Sequence, residues 1–376
     1  EKQMLGLVAL WVIPGAIVPS ESAHSLISQT LGAVDTLSNA TGVSQKQPLQ
    51  VHVLAYQRPD SLVRLLDSLR SAEYLGDTVD LHIHIDGANE NTNKEKANEV
   101  HEIAERARVG WAHGASTISA APHHLGLRDM WINAWTPKSD DEHAIILEDD
   151  LELSRQWYHW LKPALKMYQG KGSNLAGVSL QRLAWAPSGK PLDRLPGHAP
   201  ILSSTVSTWA FSPDASHWLK FQRYVRERSA SAGTVSLFSS MNSGYSLQAG
   251  WDQKDPELAK DLWSPAFAAY CRSQGLVTLY PSLQPDYHAL AVHWRTKGAH
   301  YQGLRHTKKT EKADFLLAHD WLPGMGALPP FENLNRVPHN GFEHKGFGHG
   351  TIKMIAADAT QDAMEAYKKL EEEAAA

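Results

Sequence analysis

Strand and helix signals alternate between residues 49 and 182, and this alternation limits the fold more than any other feature of the chain. Five stretches rich in apolar and β-forming residues predict strands, at residues 49–56, 79–87, 116–121, 143–150 and 174–181. The segments between them predict helices, beginning with an apolar stripe at Leu62, Leu65, Leu66 and Leu69. Short strand–helix repeats predict an α/β fold with a mostly parallel sheet that is covered by helices on both faces.

Polar side chains follow four of these predicted strands at the point where each strand ends. Arg58 follows the first strand, Asp86 ends the second, residues 123–128 follow the third, and residues 148–150 end the fourth. Ligands of such sheets bind beyond the carboxyl ends of the strands. The four clusters therefore predict one binding site along that edge of the sheet.

Three adjacent carboxylates, Glu148, Asp149 and Asp150, come directly after the apolar run Ala144–Leu147. Like charges repel one another and resist burial, so we expect a positive partner at this position. Carboxylate oxygens suit a hard divalent cation, which can bridge the phosphates of a nucleotide. The alternative is an acidic loop that follows a strand by chance, and the neighbouring polar clusters weigh against it.

Charge and motifs exclude several classes of protein. The formal net charge of −5 argues against a nucleic-acid-binding protein, because there is no basic excess to meet phosphates. No GxGxxG follows the first strand and no GxxxxGK[ST] occurs, which disfavours a dinucleotide fold and a P-loop NTPase. The single cysteine, Cys271, forms no internal disulfide, which fits a reducing compartment and only weakly disfavours a secretory one.

The segment HAIILEDDLELSRQWYHWL resembles the acidic-motif region of GT-A glycosyltransferases, most closely the N-acetylglucosaminyltransferase I type. VLAYQRPDSLVRLLDSL, HIHIDG and HHLGLR resemble other blocks of that group, over residues 49–182. A weaker resemblance to related plant and algal proteins continues through residues 261–283 and 293–300. It implies a GT-A fold and a metal-dependent, inverting transfer of a sugar from a nucleotide sugar, with UDP expected, to a glycan or protein acceptor.

The resemblance also implies roles for four side chains around the nucleotide. Arg58 and Asp86 would hold the uracil or ribose, while His124 and Arg128 would flank the nucleotide, where an arginine fork suits pyrophosphate. Simpler alternatives remain open for three of them. Arg58 could pair with Asp60, Arg128 could pair with its neighbour at position 129, and residues 86–87 could form only a turn.

Metal binding is likewise implied by the resemblance. Asp150 would bind Mn²⁺ or Mg²⁺, and Glu148 and Asp149 would support the metal and the donor sugar. From the sequence itself, His293 and His300 are expected to face the phosphates, and for either of them an ordinary packed histidine is the alternative.

The general base of an inverting transfer is expected in the second half of the chain. A carboxylate must take the proton of the acceptor hydroxyl, and residues 252–261 offer Asp252, Asp255, Glu257 and Asp261. Asp261 is the nearest match to the family position, although the match is imperfect. It could instead cap the N-terminus of a helix over residues 262–274.

The chain divides into four expected parts. Residues 1–48 form an apolar N-terminal segment and a stem, residues 49–182 the nucleotide-sugar half, residues 183–305 the acceptor half, and residues 306–376 a C-terminal extension. The uncharged run at residues 4–18 suits a signal or anchor remnant in contact with a membrane, with a buried helix as the alternative. A Golgi or secretory location follows, or else an organelle membrane-associated complex.

Two further functions compete with the transferase. The first is a catalytically inactive relative that acts as a structural or binding subunit of a larger, membrane-associated assembly, because a fold alone does not fix a function. The second is a kinase or nucleotidyltransferase, since both also use carboxylate-bound metals.

Overall fold

All five strands expected between residues 49 and 182 are present in the computed structural model. It describes residues 47–170, 173–183, 200–231, 262–283, 288–294, 316–318 and 328–336. The run at residues 4–18, most of the C-terminal extension and the four candidate bases at 252–261 lie outside the described residues. The described residues all belong to one compact unit.

The first half alternates strands and helices as expected. Its strands are β1 Leu49–Ala55, β2 Val79–Ile85, β3 Ser116–Ala120, β4 Ala144–Glu148, β5 Leu151–Leu153 and β6 Leu175–Ser179. Its helices are α1 Pro59–Arg70, α2 Lys94–Gly110, α3 Gly126–Asn133 and α4 Trp157–Tyr168. The predicted apolar stripe of α1 is confirmed, since all four of its leucines are buried.

The second half contributes shorter elements. Its strands are β7 Ile201–Ser203, β8 Phe211–Pro213, β9 Val277–Tyr280, β10 His288–Ala289, β11 Ala291–His293, β12 Leu316–Leu317 and β13 Asn335–Arg336. Its helices are α5 Ala215–Ser231 and α6 Ser264–Gln274, with a short 3-10 helix at Phe331–Asn333. None of the helices in the described ranges is long and apolar enough to cross a membrane.

Nine of the described strands form one sheet, in the order β13-β7-β9-β6-β8-β4-β1-β2-β3. The stretch β4-β1-β2-β3 is wholly parallel, as the alternation of strands and helices predicts. β6 does not continue this stretch, because β8 lies between β4 and β6 and runs antiparallel to both. The sheet therefore includes strands from both sides of residue 182.

Helices cover both faces of the sheet, which confirms the expected layers. On one face, α1, α2 and α4 pack on the apolar side chains of β1, β2 and β4, including Val53, Ile83 and Leu147. On the other face, α3, α5 and α6 pack on Leu54 and Ile146. Because parallel strands point the same way, the carboxyl ends of β1, β2, β3 and β4 meet at one edge of this sandwich.

Three histidines stack on the second face, where β1 and β2 lie side by side. His52 stacks on His82 and His84, with ring centroids 4.8 and 5.2 Å apart, and its Nδ1 lies 2.9 Å from Nε2 of His84. Burial lowers the pKa of His84 to about 4, with a further contribution from His82. Burial also lowers the pKa of His52 well below its usual value. The folded protein therefore keeps these rings neutral.

This cluster makes the stability of the fold depend on pH. A histidine whose pKa falls from 6.5 to about 4 on folding stabilises the fold fully above pH 6.5, and that stability is lost as the pH falls. When the pH is lowered from about 7.5 to about 5, protonation linked to His84 alone should lower the free energy of unfolding by about 2 kcal/mol. Urea denaturation of His84→Gln should show a correspondingly smaller pH dependence than wild type. His101→Gln, on the exposed side of α2, is the control and should behave as wild type; equal pH dependence in all three proteins would contradict the prediction.

Candidate functional site

The acidic triplet and Arg58 meet at the carboxyl ends of two neighbouring strands. β1 and β4 are paired in parallel, with Leu54 opposite Glu148. Arg58 precedes the first turn of α1, and Asp149 and Asp150 form the turn between β4 and β5. The order of the strands therefore brings together residues that are 92 positions apart in sequence.

Arg58 is the positive partner that the three carboxylates need. Its guanidinium forms ion pairs with both Asp149 and Asp150 rather than with Asp60. A quarter of its side chain is exposed, whereas the side chains of Asp149 and Asp150 are 1% and 4% exposed. One arginine thus faces two buried carboxylates directly and reaches the site from its solvent side.

His293 reaches the same site from the second half of the chain. β11 pairs antiparallel with β5, which places His293 opposite Leu151. Nε2 of His293 lies 3.2 Å from Oδ2 of Asp150, and the backbone N–H of Trp294 donates to the carbonyl oxygen of Asp150. The other carboxylate oxygen, Oδ1 of Asp150, is buried and has no hydrogen-bond partner among the described residues.

Glu148 is tied to the tryptophan-rich second face. The indole N–H of Trp131, on α3, donates to Oε1 of Glu148 at 2.9 Å. Trp131 stacks on Trp263, which directly precedes α6, with ring centroids 4.2 Å apart. The carboxylate is therefore held by a fixed ring system and is buried.

The site carries more carboxylate than its arginine neutralises. Burial raises the pKa of Glu148 to about 7, and the Asp150 carboxylate adds to the rise. Burial also raises the pKa of Asp149 to about 6, although Arg58 opposes the shift. For Asp150, burial favours the neutral form, but Arg58 and His293 outweigh it and hold its pKa well below the usual range. Additional positive charge would therefore be stabilised here.

The chemistry of the residues present fits a hard divalent cation. Oδ1 of Asp150 and Oδ2 of Asp149 are buried carboxylate oxygens without a hydrogen-bond partner among the described residues, and Glu148 supplies further negative charge. Within the described ranges, no three His, Cys, Asp or Glu side chains converge to hold a metal by themselves. Mg²⁺ is commonly held by one or two carboxylates together with substrate phosphates, so a nucleotide would have to complete the coordination.

Asp86, the predicted nucleotide contact on β2, has its carboxylate occupied within the protein. Oδ1 accepts the backbone N–H groups of Gly87 and Leu125, and Oδ2 accepts that of Gly126. Nδ1 of His124 lies 2.8 Å from Oδ2. These four donors fill the usual acceptor positions of a carboxylate, so a nucleotide contact would have to displace one of them.

The turn at residues 123–126 is held against β2 and presents His124. The ring of His124 packs on that of Tyr56 at the end of β1, with centroids 5.0 Å apart. A Cβ on Gly87 would lie 2.2 Å from the carbonyl carbon of His123, so only glycine permits this close approach. Residues 86–87 therefore fasten the turn that carries His124 and are not a simple reverse turn.

Arg128 pairs with its neighbour, as the simpler alternative proposed. Nε and Nη2 donate to the two carboxylate oxygens of Asp129 at 2.8 and 3.2 Å. Its role as a nucleotide contact, like those of Arg58, Asp86 and His124, stays a prediction.

Asp261 lies outside the described residues, but the helix that follows it is described. α6 begins at Ser264, and Trp263 occupies the N-cap position without a capping side-chain hydrogen bond. The alternative in which Asp261 caps a helix over residues 262–274 is therefore wrong, because the helix starts two residues later than the pattern predicts. Its role as the base stays a prediction.

Sequence reasoning missed three tryptophans that contact site residues. The indole N–H of Trp131 donates to Glu148, and Trp209 stacks on His293. The backbone N–H of Trp294 donates to the carbonyl oxygen of Asp150. The only available signal was the count of 13 tryptophans, and abundant tryptophan most often means core packing.

The position of Arg58 gives a prediction about stability. Arg58→Met removes the guanidinium and keeps an unbranched chain about as long as the apolar stem of arginine, leaving buried carboxylates without their cation. The free energy of unfolding should fall by about 3–5 kcal/mol, the usual effect of breaking a buried ion pair from one side. The control is Arg106→Met, whose exposed arginine pairs with Glu102 at 3.9 Å and should change stability by about 0.5 kcal/mol or less. Equal effects of the two changes in denaturant titrations would contradict the prediction.

Comparisons with known proteins give a partial family match and distant structural likenesses. A family model described as the SPBC1E8.03c C-terminal domain matches residues 60–233, which include the acidic triplet but not Arg58 or His293. No curated protein matches the sequence.

Two solved structures are distantly similar to this chain. A mannosyltransferase from Pyrobaculum calidifontis, solved with GDP-Man and Mn²⁺, is 10% identical with a TM-score of 0.32, and the alignment covers 47% of each chain. TarS (residues 1–349) from S. aureus is 11% identical with a TM-score of 0.34, over 64% of this chain and 59% of that one. This chain thus spans less than two thirds of the length of either protein.

Proposed function

We propose that this protein is a glycosyltransferase of the GT-A type that uses a divalent cation and a nucleotide-sugar donor. One observation carries the proposal. Three buried carboxylates lie at the carboxyl ends of β1 and β4, one arginine pairs with two of them, and Oδ1 of Asp150 has no hydrogen-bond partner among the described residues. The sequence resemblance to the acidic-motif region of such enzymes supports the same conclusion.

Mn²⁺ or Mg²⁺ would be held by Asp150, with Glu148 and Asp149 supplying the surrounding negative charge. A cation bound here supplies the positive charge that a departing nucleoside diphosphate needs. Arg58 has two tasks in this proposal. It keeps Asp149 and Asp150 ionised and in place, and its solvent-exposed quarter faces the side from which a diphosphate would approach.

The nucleotide would lie along the same edge of the sheet, toward β2 and β3. His124 and Tyr56 offer ring faces there, and the Asp86 carboxylate fixes the turn that carries His124. Arg128 would have to exchange its contact with Asp129 for a contact with a phosphate, and the guanidinium fork matches the geometry of both groups. UDP is the nucleotide that the sequence resemblance favours.

Transfer itself requires a base, and Asp261 remains our candidate. Its carboxylate would take the proton of an acceptor hydroxyl while that oxygen attacks the anomeric carbon of the sugar. The bond from that carbon to the diphosphate breaks at the same time, so the configuration at the carbon inverts. The expected acceptor is a glycan or glycoprotein.

Three further parts of the proposal come from the sequence alone. They are a Golgi or secretory location, membrane contact through residues 4–18, and the specific likeness to the N-acetylglucosaminyltransferase I type. Residues 4–18 lie outside the described part of the chain.

A catalytically inactive subunit of a larger assembly is the second candidate. One observation favours it, because the Arg58 guanidinium already pairs with two of the carboxylates that a cation would otherwise neutralise. Calorimetry of wild type with Mn²⁺ and UDP separates the two candidates. If UDP binds only when Mn²⁺ is present, the enzyme is supported. If neither Mn²⁺ nor UDP binds, the inactive subunit is supported.

Asp150→Asn is the sharpest test of the cation site. The change keeps the shape of the side chain and removes the charge that a hard cation needs, so Mn²⁺-dependent UDP binding should be lost. The melting temperature should stay within a few degrees of wild type, because Arg58 keeps Asp149 as a partner. Glu152→Gln is the matched control, since Glu152 is two residues away and contacts Trp294 instead. Unchanged affinity in Asp150→Asn by calorimetry would count against the site.

Asp261→Asn tests the proposed base. Turnover should fall by about 10²–10⁴-fold, the usual scale for a positioned base, while UDP affinity should barely change. Asp252→Asn, Asp255→Asn and Glu257→Gln serve as controls in the same segment and should retain turnover. If one of them loses activity while Asp261→Asn retains it, the base is that residue instead.

A further inference from the structure

Trp209 lies against the acidic site but has no part in the mechanism described above. Its indole stacks on the imidazole of His293, with ring centroids 4.6 Å apart and planes only 9° from parallel. His293 is buried, and Trp209 is half-buried at its side. The imidazole is thus held between the indole on its face and Oδ2 of Asp150 at its edge.

The backbone that carries Trp209 adopts a conformation that its sequence does not favour. Ala210 has φ +48°, in the left-handed region, which costs an L-residue free energy relative to glycine. Such a conformation persists only where the surrounding structure fixes it, and it often marks a functional site. Ala210 is fully buried, and its carbonyl oxygen accepts the backbone N–H of Leu180 at 3.0 Å.

Buried hydroxyl groups hold the other side of the same loop. Oγ of Ser207 donates to the carbonyl oxygen of Trp209 at 2.9 Å, and it lies 2.7 Å from Oγ of Ser179 at the end of β6. The backbone that carries the indole is therefore held to the sheet by hydrogen bonds at residues 209 and 210. A tryptophan that only filled space in the core would not need a strained neighbour and a buried hydroxyl pair.

His293 and Arg58 contact the same oxygen of Asp150. Nε2 of His293 and the Arg58 guanidinium both contact Oδ2, which leaves Oδ1 without a hydrogen-bond partner among the described residues. If the imidazole could turn about its side-chain bonds, its contact with Oδ2 would be lost. The stacked indole blocks that rotation, because the ring planes are parallel and in contact.

We propose that Trp209 is a positioning residue, which holds His293 against Oδ2 of Asp150 and so keeps Oδ1 available to a divalent cation. This inference rests on the cation-binding role of Asp150 in the proposed function. Trp209 acts through His293 and does not itself touch the cation.

Mn²⁺ titrations of Trp209→Ala and Trp209→Phe test the inference. Trp209→Ala should weaken Mn²⁺ binding by about 10- to 100-fold, the usual effect of removing a group that orients a metal ligand from outside. Trp209→Phe keeps an aromatic face on His293 and should restore most of the affinity. The matched control is Trp111→Ala, because Trp111 is also partly buried against the same hydrophobic core but lies beside β2. Trp111→Ala should lower the melting temperature about as much as Trp209→Ala does, and it should leave the Mn²⁺ affinity unchanged.

A second measurement does not depend on the metal. In wild type and Trp209→Phe, NMR of the metal-free protein should show a slowly exchanging Nε2 proton on His293, and in Trp209→Ala that proton should exchange rapidly. Slow exchange in Trp209→Ala, or equal loss of Mn²⁺ affinity in Trp111→Ala, would overturn the inference. If wild type binds no Mn²⁺, the proposed function fails, while the Nε2 proton still decides whether Trp209 positions His293.

Discussion

The contact between Arg58 and the acidic turn after β4 is the interaction on which the rest of the site depends. Three carboxylates in a row cannot be buried unless a positive charge accompanies them. Arg58 provides it from the end of the neighbouring strand, so the pairing of β1 with β4 is also the pairing of opposite charges. Glu148 and Asp149 keep raised pKa values beside this single arginine, so the negative charge of the three carboxylates is only partly compensated.

Strand pairing, ring stacking and backbone hydrogen bonds hold the residues around this charge cluster. The pairing of β5 with β11 brings His293 to Asp150, and the stacked indoles of Trp131 and Trp263 hold Glu148. On the nucleotide side, the turn at residues 123–126 is fastened to Asp86 by backbone hydrogen bonds. A site built in this way keeps its geometry before any ligand arrives, which lowers the cost of binding.

The sequence predicts the parallel part of the sheet well, because β1, β2 and β4 have clear apolar patterns and the leucine stripe of α1 has helical periodicity. It also places Arg58 and the triplet at one edge, since the ends of parallel strands coincide. It does not predict β8, whose three residues are all buried and show no alternation. Nor does it reveal that backbone N–H groups fill the Asp86 carboxylate, because such partners depend on tertiary approach and not on residue type.

The insertion of β8 between β4 and β6 affects how the chain folds during synthesis and where it can be truncated. A ribosome that has released only residues 49–182 has made β4 and β6 without the strand that joins them, and β9, the other neighbour of β6, comes later still. Both strands would then present open edges, which are templates for aggregation. Expression fragments that end near residue 182 would keep the acidic triplet but not the strand order that shelters it. β6 gains both of its neighbours only after Tyr280 has been made, and the sheet is complete only after Arg336.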